Sequence, residues 1–434
     1  MNRTGHAIVM GGSMAGLLAT RVLADFFERV TLLDRDAPPD TPETRKGVPQ
    51  GRHAHALLAR GEQILSGLFP GLTADLVAGG GFCADMGADM RWFQFGGYKK
   101  QHTWGRKTYT QSRPYLEWHV RRRVLALPNV QFRPGAAVAG LTHRDGRVTG
   151  VELEQKGPVE ADLVVDCTGR GSASQRWLPA MGFEPPAEST VVVDVGYASR
   201  FYRRVPGREP TQVLFVYPQP PGERRASALM PVEGERWICT LAGWLGDYPP
   251  TDPAAFLEFA RTLPAPDIYN VISRTEPLSD PIPHRFPANL RRHYERLARF
   301  PQGYLVLGDA ICSFNPVYGQ GMTSAALQAD ALSRCLDRGI DATLAHRYFR
   351  AVARIVDIPW KLAAGEDFRY PEVRGARPAG TNLVNRYVAM VHRAVTRDAR
   401  VYGDFLRVLN LLDPPTLLFR PATFWRVLQA NLAG

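Results

Sequence analysis

The chain has 434 residues, 45% of them hydrophobic, which is enough to bury a large core and predicts two joined domains. Its formal net charge is +11, yet only 6 of the 53 basic residues are lysine. The arginines are spread along the chain, so the charge argues against a nucleic-acid face, which would concentrate it among aromatics. No run of 18 apolar residues occurs, which predicts no membrane span.

The first segment reads HAIVMGGSMAGLLATRVLADFFERVTLLDRD. It predicts a strand over 6–10, a glycine turn, an apolar helix and a second strand ending in Asp34. Gly11, Ser13 and Gly16 form a G-x-S-x-x-G pattern in which serine replaces the usual middle glycine. Gly11 permits the tight turn, and Gly16 lets the helix pack close to the strand. The helix start can face a pyrophosphate, and Asp34 can hold a ribose hydroxyl. Gly12, Met14 and Ala15 complete the candidate loop, and Arg35 follows the acid. Similar letters occur in unrelated α/β turns; the strand–turn–helix–strand–acid context sets this one apart.

Residues 36–51, DAPPDTPETRKGVPQG, form a long Pro-rich connection of a length that usually carries function. Residues 86–98, with Trp92, Phe93, Phe95 and Tyr98, predict a strand pair beside the cofactor. SRPYLEWHVRRRVL opens a helix at Arg113, and DLVVDCTGRGSASQRWL carries a strand ending near Asp166 and Gly169. From 185 to 285, segments such as TVVVDVGYASRFYRR, TQVLFVYP, RASALMPVEG and RWICTLAGW predict an antiparallel sheet. Its large side chains include Tyr197, Phe201, Tyr202, Phe215, Tyr217, Met230, Trp237 and Trp244. Alternation sends part of this set inward to line an apolar cavity and leaves the rest as core; the sequence does not say which half.

YLVLGDAICSFNPVYGQGM follows at 304–322. A carboxylate at a strand tip, Asp309, can accept from a polyol. The bare backbone of Gly319 and Gly321, with Pro316, Gln320 and Met322 around it, can lie against a flat ring and aim a helix start at negative charge. A reduced flavin presents both features, whereas the alternative is a plain strand–helix junction. The tail, 340–434, predicts helices broken at Pro414-Pro415 and Pro421, forming a cap over the cavity or a dimer contact. Cysteines 83, 167, 239, 312 and 335 are scattered without a metal or redox spacing, so they are expected to be reduced, with no metal site. The N-terminus lacks a signal-peptide profile, and a cytoplasmic location is expected.

Together GGSMAGLLATRVL, KGVPQGRHAHALLARGEQIL and GDAICSFNPVYGQGM resemble the flavoprotein monooxygenases of the para-hydroxybenzoate hydroxylase fold. The likeness extends to the actinobacterial FAD-dependent epoxidases of polyether biosynthesis and the polyprenyl-methoxyphenol-hydroxylase-like monooxygenases. The resemblance implies an α/β fold. A discontinuous, Rossmann-like FAD-binding domain (1–85, 99–184 and 286–335) would interleave with a substrate sheet (86–98 and 185–285), with a helical cap at 336–434. It implies FAD held at 11–16, Asp34, Arg35, Gly169, Asp309 and 316–322, with Arg113 and Arg52 reaching the cofactor. The substrate side would use Trp92, Phe93, Phe95, Tyr197, Phe215, Tyr217, Met230 and Trp237. One departure stands out: Thr168 precedes Gly169 where the family usually carries an Asp-Gly pair.

The implied reaction uses NADPH or NADH and O2, and passes one oxygen atom through a C4a-hydroperoxyflavin to a hydrophobic small molecule. Olefin epoxidation is the leading expectation and aromatic hydroxylation the alternative. No acid–base side chain is required, so no catalytic residue is named beyond the flavin loop. A flavin halogenase is disfavoured by the missing W-x-W-x-I-P signature and by the absence of lysine between Lys46 and Lys99. An FAD-dependent dehydrogenase or reductase is the stronger rival, because DCTG resembles those proteins, and a non-enzymatic FAD-binding protein is the third reading. Monomer and homodimer are both open.

Overall fold

The computed structural model describes residues 3–207 and 213–432; Thr211 and Gln212 of the TQVLFVYP segment lie outside the described residues. Strand β1 (His6–Met10), helix α1 (Met14–Leu23) and strand β2 (Arg29–Asp34) form where the sequence predicts them. β1 is buried along its whole length because it sits inside a five-stranded parallel sheet. The strand order is 304–306, 163–166, β1, β2, 130–134. Met10 lies opposite both Leu33 and Asp166, and Asp166 opposite Val306, so the carboxyl ends of these strands form one edge. In open parallel sheets that edge is where ligands bind. Gly16 makes the first crossover possible: a Cβ there would lie 1.7 Å from the Gly11 carbonyl oxygen.

A second, nine-stranded sheet stands beside the first. Its centre is the 16-residue strand Glu188–Arg203, which pairs antiparallel with Ile282–Arg292 on one side and Arg236–Trp244 on the other. Strands Arg225–Val232, Val213–Val216 and Met90–Gln94 continue it, the last pair parallel. At the opposite edge Ile282–Arg292 pairs with Cys312–Ser313, which ties this sheet to the segment after Asp309.

Both faces of the large sheet are covered. Leu214, Leu229, Trp237, Cys239 and Leu241 pack on the short helices Pro253–Arg261 and Asp267–Ile272. Trp92, Val213, Met230 and Ile238 face the C-terminal helices Thr381–Ala394 and Ala399–Leu409. With apolar layers on both sides the strands read as nearly continuous hydrophobic runs, which explains why the sequence could not assign their faces. The tail is helical, as expected: Leu344–Asp367 precedes these two helices, and Pro421 opens the last, Pro421–Leu432. Among the described residues no helix is long and apolar enough to cross a membrane.

Candidate active site

The carboxyl edge of the parallel sheet carries a cradle built from four stretches of chain. Gly11 adopts φ +97°, a left-handed conformation that favours glycine, and turns the chain from β1 into α1. Ser13 starts α1 without a side-chain cap, so the first-turn amides carry no capping partner. Asp34, at the tip of β2, accepts the Gly12 N–H at 2.9 Å and a bond from Arg45 Nη1 at 2.8 Å. Arg45 comes from the Pro-rich connection, and its Nε reaches Glu117 Oε1 at 3.1 Å. The other Glu117 oxygen accepts from Ser13 Oγ at 2.9 Å and from Arg113 Nη2 at 3.0 Å. Arg113 opens the helix Arg113–Leu125, and Glu117 lies one turn later on the same face.

The 308–322 segment closes the cradle. A Cβ at Gly308 would lie 2.7 Å from Ala15 Cβ, so the Gly-Asp pair packs against the N-terminal motif. Half-buried Asp309 has no hydrogen-bond partner among the described residues. Burial raises its carboxyl pKa, and the nearby Arg113 and Arg170 oppose that rise. Gly319 sits at φ +65° against Ala56, and a Cβ at Gly321, where the next helix begins, would meet nothing within 4 Å. Gln320 Oε1 and Arg113 Nε are buried without partners among the described residues. These features fit an FAD: an uncapped helix start for a pyrophosphate, unpaired polar groups, and open space before Gly321 for a ring.

The loop is fixed from behind by Asp367, which is fully buried. It accepts from Tyr318 OH at 2.7 Å, Asn289 Nδ2 at 2.7 Å and Asn315 Nδ2 at 3.1 Å. Burial pushes its pKa up to about 6. Tyr197 adds a bond from its hydroxyl to Asn315 Oδ1.

In front of the loop lies a cavity of ≈ 560 Å³. Pro316, Val317 and Gly319 form one wall, Tyr197, Phe215, Tyr217 and Met230 of the sheet another, and Trp360, Phe405 and Leu418 of the C-terminal region cover it. Four histidines, His53, His55, His284 and His392, line it as well. Burial first, and neighbouring positive groups second, lower the His53 pKa to about 3 and the His55 pKa to about 4. Both rings are therefore neutral near pH 7. His55 Nδ1 lies 2.9 Å from the His53 carbonyl, which can only accept, so its proton sits on Nδ1 and Nε2 keeps a lone pair. His53 Nδ1 meets Ser199 Oγ at 2.8 Å, and Ser199 meets Thr240 at 2.5 Å.

Several expected site residues stand elsewhere. Phe93 and Trp237 point to the opposite sheet face, against the short helices, because they stand an odd number of residues from Trp92 and Thr240 along their strands. Phe95 turns out of its strand at φ +54° and stacks on His392 instead of lining the cavity. Arg52 and Arg35 are exposed, and Met14 is core, 2% exposed. The basic residue that enters the cradle is Arg45, which sits in a loop with no periodicity to flag it. Glu117 was also missed, although its i,i+4 spacing from Arg113 was legible. Asp166 is spent structurally on Thr168, Ser172, Ser174 and Tyr304, leaving Gly169, at φ +79°, as the backbone turn. Cys312 is buried and unpaired, a packing residue of the core.

Cradle, sheet and cap together define the mixed α/β fold of para-hydroxybenzoate hydroxylase-type flavoproteins. No protein-family model matches the sequence. Protein Rv3254 of Mycobacterium tuberculosis is 36% identical over 458 residues, covering 99% of this chain and 94% of that protein. Kynurenine 3-monooxygenase of Salinispora arenicola is 26% identical, covering 81% and 77%. Among solved structures, a flavoprotein/dehydrogenase of Cytophaga hutchinsonii superposes with a TM-score of 0.70 at 14% identity, covering 99% and 98%. PqsL of Pseudomonas aeruginosa, described as a probable FAD-dependent monooxygenase, gives 0.62 at 16%, covering 84% and 97%. The chain belongs to the same family as Rv3254, and its fold is the one shared by the FAD-dependent flavoproteins it superposes on.

Proposed function

We propose that this protein binds FAD and uses NADPH or NADH with O2 to place one oxygen atom on a hydrophobic small molecule. Substrate, O2, NAD(P)H and a proton give oxygenated substrate, water and NAD(P)+. The observation that carries the reading is continuity: the segment whose Gly308 packs on Ala15 of the cradle runs on into Pro316–Gln320, which line the ≈ 560 Å³ cavity. Bound there, the flavin supplies the redox chemistry that activates O2.

The chain's own residues bind, orient and exclude water. Asp309 would accept hydroxyl hydrogens of the polyol chain, and Arg113, Ser13 and the start of α1 would hold the pyrophosphate. The helix beginning at Gly321 would offer its positive end to negative charge on the ring. Apolar side chains from the sheet and the C-terminal helices keep water from the reacting centre. The neutral His55 Nε2 is an acceptor in that wall and can take a hydrogen bond from a substrate hydroxyl.

Olefin epoxidation remains the first chemistry to test, because most of the wall is hydrocarbon. Aromatic hydroxylation is the second reading, supported by the four cavity histidines and by the kynurenine 3-monooxygenase relative. The deciding experiment reduces the purified holoprotein anaerobically, mixes it with 18O2-saturated buffer and candidate polyenes or phenols, and analyses products by mass spectrometry. One 18O per product molecule is expected. Flavin reoxidation with every substrate intact, or dehydrogenated product without label, would replace the oxygenase reading with a dehydrogenase one. A protein that cannot be reconstituted with FAD would remove both.

A further inference from the structure

One polar group of the cavity wall belongs neither to the flavin loop nor to the histidine cluster around His53. His392, on helix Thr381–Ala394, is 4% exposed and lines the cavity. Its ring is held on three sides. Phe95 stacks on it with centroids 4.5 Å apart and planes 12° from parallel. Phe405 meets it edge-on at 5.1 Å. Lys99 Nζ lies 3.2 Å from Nδ1 and donates to the His392 carbonyl at 3.1 Å. Among the described residues, nothing hydrogen-bonds to Nε2.

Lys99 is itself 4% exposed and has no carboxylate within ion-pair distance among the described residues. The charged groups around the pair are Glu366 and Arg369, which bind each other at 2.7 and 2.9 Å, with Arg369 lying 5.0 Å over Phe95. A lysine ammonium has three hydrogens and no lone pair, so it can only donate to Nδ1. That fixes the imidazole proton on Nε2, as a donor facing an apolar cavity. A donor held rigidly in the wall of an apolar cavity, with no protein partner among the described residues, offers a fixed hydrogen-bonding position to a ligand.

We propose that His392, oriented by Lys99, is the polar anchor of the cavity, donating its Nε2 hydrogen to a carbonyl or hydroxyl oxygen on an otherwise apolar ligand. The ligand class is thereby narrowed: a pure hydrocarbon leaves this donor unsatisfied, whereas a polycycle or polyene already bearing an oxygen function satisfies it. The identity of that ligand as the substrate rests on the oxygenase reading; the binding itself does not. Lys99 is a positioning residue, and burial lowers its pKa to about 7. Above that pH the neutral amine can accept from Nδ1, which frees the ring to carry its proton there and removes the donor at Nε2.

The test uses two probes that differ by one carbonyl, fluorene and 9-fluorenone, bound to the full-length protein with and without FAD and followed by quenching of tryptophan fluorescence. Trp92 and Trp360 line the cavity and report occupancy. At pH 6 the wild type should favour 9-fluorenone by about tenfold. His392→Phe and Lys99→Met should erase that preference while leaving the fluorene affinity unchanged, and His392→Gln, which keeps an N–H donor, should retain part of it. The wild-type preference should shrink between pH 6 and pH 8.5, and Lys99→Met should show no such dependence. Equal binding of the two probes by the wild type, or an undiminished preference in His392→Phe, would overturn the anchor. Flavin absorbance, read in parallel, tests the FAD reading separately: a colourless, unreconstitutable wild type refutes that reading, and the probe comparison still decides on His392.

Discussion

The cofactor cradle and the cavity are joined by one continuous segment, 308–322, yet they are built on opposite principles. The cradle is polar and balanced: Asp34 and Glu117 are matched by Arg45 and Arg113 within hydrogen-bond distance. It draws on stretches that are short in sequence, and backbone conformation does much of the work. The cavity is apolar, gathers its wall from residues between Gln50 and Phe419, and depends on side-chain direction. A backbone device leaves a signature in consecutive letters; a cavity assembled over hundreds of residues leaves only composition.

The comparison breaks first at Arg45. If the cradle is a closed charge cluster, Arg45→Met leaves two carboxylates with 6% exposed side chains short of a partner. Removing one member of such a buried set costs about 3–5 kcal/mol. Urea unfolding of the FAD-free protein should show a loss of that order, and a loss below about 1 kcal/mol would mean that water already screens the cluster. Next is Gly321→Leu. A Cβ there meets no protein atom within 4 Å, so the fold should persist, and the side chain should occupy space assigned to the flavin. FAD affinity is expected to fall by about 1–3 kcal/mol, the usual penalty of overpacking, with the unfolding midpoint of the FAD-free protein unchanged. Wild-type FAD affinity in this variant would move the ring elsewhere.

Much of the cradle was legible because its requirements are local. Gly11 at positive φ, Gly16 against the Gly11 carbonyl and Asp34 at a strand tip each follow from a residue type at a fixed offset. Arg45 escaped because it lies in a Pro-rich loop whose path no period describes, and Arg52 was named only from where the family places a basic residue. On the cavity side, Trp92, Tyr197, Phe215, Tyr217 and Met230 were found, whereas Phe93 and Trp237 were misplaced by one step of the pleat. Alternation shows a face only when one side is wet, and here both faces are covered. His392 and Lys99 are 293 residues apart, so no local pattern could have joined them.

The link between the regions is sharpened by Asp367, which ties Tyr318 and Asn315 of the loop to the helical cap. In the unfolded chain this carboxyl releases its proton near its ordinary value of 3.8, and in the folded protein at about 6. Between those values the unfolded state holds fewer protons, so this group's contribution to stability declines as pH rises. His53 and His55 act in the other direction: their folded values of about 3 and 4 lie below 6.5, so their contribution is lost as pH falls. Asp367→Asn separates the two trends. Against wild type, the variant should gain about 2–3 kcal/mol in relative stability between pH 4 and pH 7, on top of any constant offset from the altered hydrogen bonds. Parallel stability–pH curves for the two proteins would show that the buried carboxyl does not titrate in this range.

The smallest effect is expected at Arg52, and it tests the comparison from the sequence side. Arg45 and Arg52 are both basic residues of the same stretch after β2, seven positions apart, and a family pattern alone cannot choose between them. The structure buries the first against Asp34 and Glu117 and leaves the second exposed at the end of the short turn Pro49–Arg52. An exposed arginine without an ion-pair partner contributes little, so Arg52→Ala should change stability by less than about 0.5 kcal/mol. Its FAD affinity should match wild type in a titration followed by flavin fluorescence. Were Arg52→Ala to lose FAD while Arg45→Met kept it, the connection would have to rearrange when the cofactor binds. The charge cluster around Glu117 would then be a resting arrangement that the pyrophosphate displaces.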